Sequence, residues 1–304
     1  MDLILHLGAH RCGSTAFEQA LSANAGRLRA EGIAIFKPGR LRRVAGFRIL
    51  PNIAATARRR PAARVRLEQT RQALGAALAA TGASTVVLSE ENMLGPIEPN
   101  LHAASLYPQA RGRLAVYADI VGHPVRRIGV GVRSYAPLWL SAYAYVLRRR
   151  PLPAFETLAA GMAQVGTGGH RGWVDLAQDI RAVFPEAELC LWPAETARGG
   201  ATLALGCALI GRGTDGLRPA PGEVNAGLSA DAIPLIHALR AEEPDLVDAA
   251  LDARLAALPR PAPYRPFGPD ALARMTRRYA EDIDRIAALP GVRLLAAPAP
   301  DPAP

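Results

Sequence analysis

Residues 3–17, LILHLGAHRCGSTAF, restrict the fold more than any other stretch of the chain. A β-rich run ends at Gly8, a second glycine follows at Gly13, and Ser14 and Thr15 open a segment with apolar residues at helical spacing. A strand, a tight loop and a helix in immediate succession form the first half of a parallel α/β unit. The two glycines let the backbone N–H groups between them converge on an anion, and the following helix contributes its positive end. Gly8, His10, Arg11, Cys12, Gly13, Ser14 and Thr15 are therefore candidate ligand-binding residues.

The rest of the chain repeats the alternation. A helix is expected from Ser14 to Gly32, a strand at 33–36, a helix over 67–82 closed by Gly82, and a buried strand in STVVLSEEN that delivers Ser89, Glu90 and Glu91 at its end. A helix over 112–122, a strand over 125–134 and an amphipathic helix over 135–150 follow, then a helix at 172–185 and a strand at 187–195. Beyond these the pattern is mostly helical, over 228–258 and 268–289. The fold class expected is α/β, a three-layer parallel sheet flanked by helices with a helix-rich C-terminal part, in a single domain over 1–296 and a disordered Pro/Ala tail at 297–304. Ligands of such sheets gather beyond the carboxyl ends of the strands, where all three polar loops fall.

With 304 residues, half of them hydrophobic, the chain can bury a large core. The net charge of +9 rests on arginine, since Lys37 is the only lysine. This balance suits an anionic ligand and selects no single partner class; no nucleic-acid motif accompanies it. Cys12, Cys190 and Cys207 are odd in number, far apart and without a Cys/His cluster, which excludes a disulfide scaffold or a zinc site as the organising feature. The longest apolar run, ATLALGCALIG, is too short to span a bilayer, and no signal segment precedes the first strand, so a cytoplasmic location is expected. The arginine-rich runs GRLRR and ARRRPAARVR read as solvated loops and helix faces, with a flap over an anionic donor or acceptor as the second reading.

Gly8 to Thr15 fits the triphosphate loop pattern G-x-x-x-x-G-K-[ST] except that Ser14 stands in place of the lysine. That lysine reaches the β- and γ-phosphates, and the only strand-end acids available for magnesium are Glu90 and Glu91. A triphosphate is disfavoured and no metal is expected.

The same residues resemble the 5′-phosphosulfate loop of sulfotransferases, in which a lysine precedes a small residue, a glycine and two hydroxyl residues. Here the run is Arg11-Cys12-Gly13-Ser14-Thr15, with His6, Gly8 and His10 also similar to bacterial members. The family pairs an arginine at the end of a central strand with a serine eight residues later on the next helix to hold the donor's 3′-phosphate, and Arg133 and Ser141 match that interval. Ser-x-Glu in VVLSEENMLG resembles a further bacterial segment, and the likeness extends more loosely over 171–195, 224–240 and 271–289.

The resemblance implies a P-loop-like sulfotransferase fold, 3′-phosphoadenosine 5′-phosphosulfate as co-substrate, and transfer of a sulfuryl group to a hydroxyl or amine of a small-molecule, carbohydrate or lipid-linked acceptor. Arg11 takes the lysine's place at the bridging oxygen, where it can stabilise charge but is a poor proton donor. Glu91 is the first candidate for the base and Glu90 the second; a carboxylate that caps the loop or pairs with Arg11 or Arg133 is the rival reading for either. Phe17 lies one position late for the ring that many relatives place on the adenine. Trp139, Tyr143 and Tyr145 are read as core or groove lining. The alternative functions are a P-loop-type small-molecule kinase or nucleotide triphosphatase, and a non-catalytic nucleotide- or partner-binding domain of the same fold.

Overall fold

A computed structural model describes residues 1–48, 60–219, 232–243, 246, 248–256 and 264–296. Six strands form one all-parallel sheet: β1 (Asp2–His6), β2 (Ile33–Phe36), β3 (Thr85–Ser89), β4 (Val125–Val132), β5 (Glu188–Pro193) and β6 (Val292–Leu294). Their order is β2-β3-β1-β4-β5-β6. The chain leaves β1 for β2 on one side, returns to β3, and then crosses β1 to reach β4 on the other. This reversal sets the carboxyl ends of β3, β1 and β4 side by side, where ligands of open parallel sheets bind. Register completes the alignment, since His6 lies beside Ser89 on one flank and Gly129 on the other.

The helices are α1 (Ser14–Ser22), α2 (Ala25–Ala30), α3 (Pro38–Leu41), α4 (Pro61–Ala79), α5 (Glu98–Ala103), α6 (Ala110–Val121), α7 (Tyr135–Leu147), α8 (Phe155–Met162), α9 (Trp173–Val183), α10 (Gly200–Ile210), α11 (Ala232–Glu242), α12 (Asp248–Ala256) and α13 (Pro269–Ala287). They cover both faces of the sheet, as the period-two alternation of β1 requires. Leu3, Leu5 and Leu7 point into the larger core, which runs on through Trp139, Trp173 and Ile286. Ile4 points the opposite way, into a smaller core with Phe17, Leu21, Trp192 and Leu209.

Several boundaries differ from those expected. The first helix divides at Asn24, whose side chain donates to the Ala20 and Arg218 carbonyls at 2.8 Å and accepts from the Arg218 N–H at 2.9 Å. A side chain spent on the backbone in this way competes with helix continuation. Helix α4 starts at Pro61 rather than Leu67, with proline in the first turn, where its missing N–H costs nothing. The apolar run ATLALGCALIG is α10, with the fully buried Leu209 packed in the smaller core. Strand β6 was not expected; it is three residues long and pairs with β5. The helical stretch expected over 228–258 is two helices, α11 and α12. The tail at 297–304, residues 57–59 of the second arginine run and residues 224–231 lie outside the described residues. No helix among the described residues is long and apolar enough to cross a membrane.

Candidate functional site

The loop between β1 and α1 is built on left-handed backbone at Gly8 (φ 37°), Arg11 (φ 66°) and Gly13 (φ 86°). At Gly8 a Cβ would lie 3.1 Å from Ser14 Cβ, so the loop closes tightly on the helix start only because position 8 has no side chain. The Cys12 N–H donates to the Ala9 carbonyl at 3.1 Å and closes the turn. Gly13 caps α1 with no side-chain bond, and among the described residues the N–H groups of Gly13, Ser14 and Thr15 have no partner. Those donors, at the positive end of the helix, are suited to an anion.

Arg11 departs from ordinary backbone for a residue with a side chain, and three contacts hold it there. Its Nε donates to Ser141 Oγ on α7 at 2.8 Å, its guanidinium lies 5.4 Å from the Tyr145 ring centre, and its carbonyl accepts from Arg133 Nη1 at 2.9 Å. Ser141 accepts from Arg11, so its own hydroxyl proton remains available for another acceptor. Burial, and then the adjacent Arg133 charge, lower the proton affinity of Arg11. Two guanidinium groups so close together favour an anion between them. Arg133 is itself fixed from behind, because Trp173 Nε1 donates to its carbonyl at 2.8 Å.

Glu90 and Glu91 are adjacent in sequence and differ in environment. Glu90 is 2% exposed, receives both Nε and Nη2 of Arg42 at 2.8 and 2.6 Å, and accepts from the N–H and side-chain amide of Asn92 at 3.1 Å. It caps the short 3₁₀ turn Glu91–Met93 and pins the segment after α3. Glu91 is partly exposed and stands beside Gly8 and Ser14. Burial first, then the Glu90 charge, raise its pKa, while Arg42, Arg11 and the Ser14 hydroxyl oppose them.

His10 faces Glu91, with Nε2 at 3.8 Å from Oε1. Its backbone N–H donates to the Tyr107 hydroxyl at 2.8 Å, and that hydroxyl lies 3.3 Å from His10 Nδ1. A hydroxyl that accepts one bond and donates the next to Nδ1 places the imidazole proton on Nε2, directed at Glu91. Burial lowers the His10 pKa to about 4, so the ring is neutral near pH 7.

Below the mouth lies a second polar chain. His6 Nδ1 is 2.7 Å from Ser89 Oγ, which donates to Glu18 Oε1 at 2.7 Å. Burial lowers His6 to about 3 and raises Glu18 to about 7, the latter aided by the Glu91 and Glu90 charges. His6 stacks on Phe17 at 3.9 Å, and Phe17 on Trp192 at 5.7 Å. Phe17 is thus part of the core and offers no free face to a nucleobase.

The structure brings together Gly8, His10, Arg11, Gly13, Ser14, Glu91, Arg133 and Ser141; Thr15 is exposed on the first turn of α1. Cys12 is turned inward, and burial pushes its thiol pKa up, which suits a small packing residue rather than a reactive one. Trp139 and Tyr143 are fully buried, whereas Tyr145 lies between Arg11 and Arg149. Sequence reasoning missed Arg42, Tyr107, Glu18 and Trp173. None carries a local motif, and Arg42 was one arginine among many. Among the described residues no group of three or more His, Cys, Asp and Glu is arranged to hold a metal ion. No protein-family model, curated protein or solved structure matches the chain.

Proposed function

We propose that the protein is a sulfotransferase with a P-loop-like fold, moving a sulfuryl group from 3′-phosphoadenosine 5′-phosphosulfate to a hydroxyl or amine. The observation that carries this reading is the junction at Arg11: its side chain meets Ser141 and its carbonyl meets Arg133, so the anion loop and the Arg133/Ser141 pair form one surface. A donor with two separated anionic groups, at its 5′ and 3′ positions, is the ligand that such a surface fits. The lysine that would favour a triphosphate is missing from the loop.

In this reading the N–H groups of Gly13, Ser14 and Thr15 hold the 5′-phosphosulfate, and Arg133 with the Ser141 hydroxyl holds the 3′-phosphate. Glu91 takes the proton from the acceptor oxygen or nitrogen as that atom bonds to sulfur. The bond from sulfur to the bridging oxygen breaks on the opposite side, and its electron pair leaves with the nucleotide. Arg11 stabilises the charge that grows on that oxygen, while His10 orients Glu91. Glu90, tied to Arg42, is not free to serve as the base.

Calorimetry with 3′-phosphoadenosine 5′-phosphate tests the reading without knowledge of the acceptor. It binds, and ATP with magnesium binds far more weakly. Removal of the 3′-phosphate weakens binding by about 1.5 to 3 kcal/mol, the scale of hydrogen bonds to a charged group. Equal affinity with and without the 3′-phosphate overturns the assignment, and tighter binding of ATP with magnesium restores a nucleotide triphosphatase.

A further inference from the structure

From Gly32 to Leu67 the sequence contains Lys37 and nine arginines and not one acidic residue. Part of this segment forms a cleft beside the site. Phe36, the last residue of β2, lies under Arg40, whose guanidinium carbon is 3.7 Å from the ring centre. With Arg43, Val44, Ala73 and Ala77 these residues line an open cavity of about 350 Å³ between α3 and α4.

Arg40 is partly desolvated and feels the like charge of Arg29, and both effects depress its proton affinity. Among the described residues no carboxylate pairs with Arg29, Arg40 or Arg43, in contrast to Arg42, which Glu90 neutralises. Holding guanidinium groups together without a counter-charge is unfavourable, and a bound anion removes the cost.

The cleft is coupled to the candidate base through covalent and hydrogen-bonded neighbours. Arg42, between Arg40 and Arg43 in the chain, grips Glu90, the neighbour of Glu91. Phe36 also pairs with Leu88 of β3, the strand that leads to both acids. Phe36, on the wall of the cleft, thus ends the second strand from β1, whose loop carries the free N–H donors.

We propose that this cleft is an acceptor subsite that takes an anionic group, a carboxylate, sulfate or phosphate monoester, of a small acceptor whose hydroxyl or amine is delivered to Glu91. The proposal rests on the sulfotransferase reading for its reacting end, and on the cavity and its unneutralised arginines for its anionic end. It narrows the acceptor to acidic molecules. The anion supplies binding and orientation, so its loss raises KM more than it lowers kcat.

The test uses the full chain, Arg40→Gln/Arg43→Gln, and Arg133→Ala as a control for the loop. Thermal shift and calorimetry with inorganic sulfate, at ionic strength matched with chloride, read anion binding. Wild type shows two sulfate sites; the double variant loses one while it keeps its affinity for 3′-phosphoadenosine 5′-phosphate, and Arg133→Ala weakens the other. The expected loss at the cleft is about tenfold or more in affinity. With the sulfated donor, glucuronate inhibits or accepts in wild type more strongly than glucose, and the double variant abolishes the difference.

Sulfate binding to the double variant equal to that of wild type overturns the proposal. A response that chloride matches means an adventitious ion only, and overturns it as well. If the nucleotide fails to bind wild type while the Arg40/Arg43-dependent sulfate site persists, the donor reading falls and the anion cleft stands.

Discussion

Arg133, at the end of β4, donates from Nη1 to the main-chain oxygen of Arg11 at 2.9 Å, so two stretches separated by more than a third of the chain share one wall of the site. The bond fixes the loop as well as offering charge to a ligand. Arg133→Ala therefore lowers affinity for 3′-phosphoadenosine 5′-phosphate by about 1.5 to 3 kcal/mol and also weakens the analogue without the 3′-phosphate, by a smaller amount. Ser141→Ala affects the two ligands differently only through the hydroxyl it removes. Calorimetric titration of both variants with both ligands measures the contrast.

The split between Glu90 and Glu91 separates a structural from a chemical loss. With Glu91 as the proposed base, Glu91→Gln leaves nucleotide affinity largely intact and slows transfer about 100-fold or more, the usual contribution of a general base. Glu90→Gln removes a buried charge that accepts two bonds from the half-exposed Arg42 and destabilises the fold by about 1.5 to 3 kcal/mol, the scale of hydrogen bonds to a charged group. Denaturant melts and single-turnover transfer, run on both variants, distinguish the two outcomes.

Glu18 imposes a pH dependence with a defined sign. Its carboxyl has a pKa of about 7 in the folded chain against 4.5 for the ordinary side chain, so the folded state holds the proton more tightly. Its contribution to stability is complete below about pH 4.5 and is lost as pH rises through about 7. His6 acts in the opposite direction: its pKa, lowered from 6.5 to about 3, makes the fold lose stability as pH falls below 6.5. Glu18→Gln removes the first slope and leaves the second. Melting temperatures across this range then fall with acid more steeply in the variant than in wild type.

Asp282, on α13, is fully buried; it accepts from the Tyr135 hydroxyl and the Trp173 N–H and lies 3.0 Å from Arg278 Nε. Tyr135 begins α7 and Trp173 holds the Arg133 carbonyl, so the acid supports the site from behind. Asp282→Ala costs about 3 to 5 kcal/mol in unfolding free energy by leaving the Tyr135 hydroxyl and Arg278 without their acceptor, while the Trp173 N–H keeps its bond to Tyr135 at 3.0 Å. Nucleotide affinity falls with it, measured below the onset of unfolding.

The legible part of this chain was its alternation. Three strand ends with their loops could be placed because apolar runs and glycines mark them locally, and the parallel sheet followed from their order. Position across the sheet decides which loops meet, and local sequence does not encode it: Arg11 meets Ser141 because β1 sits between β3 and β4. Burial was likewise invisible from spacing. Glu90 and Glu91 read alike as neighbours, and only packing against Arg42 turns one inward. The site's supports, Trp173, Tyr107 and Asp282, come from distant segments and carry ordinary core residue types.

The contact of Gly131 with the loop limits how the protein can be altered. A Cβ at this position on β4 would lie 2.6 Å from the Cys12 carbonyl oxygen and 3.2 Å from Trp192 Nε1, so the strand serves as a mould against which the loop is cast. The mould constrains the backbone path, while the Arg11 side chain points away from it toward α7. Residue identity at position 11 therefore bears on the contacts with Ser141 and Tyr145, and less on the path the strand imposes on the loop. A single methyl group added at 131 would displace every donor in the cradle at once.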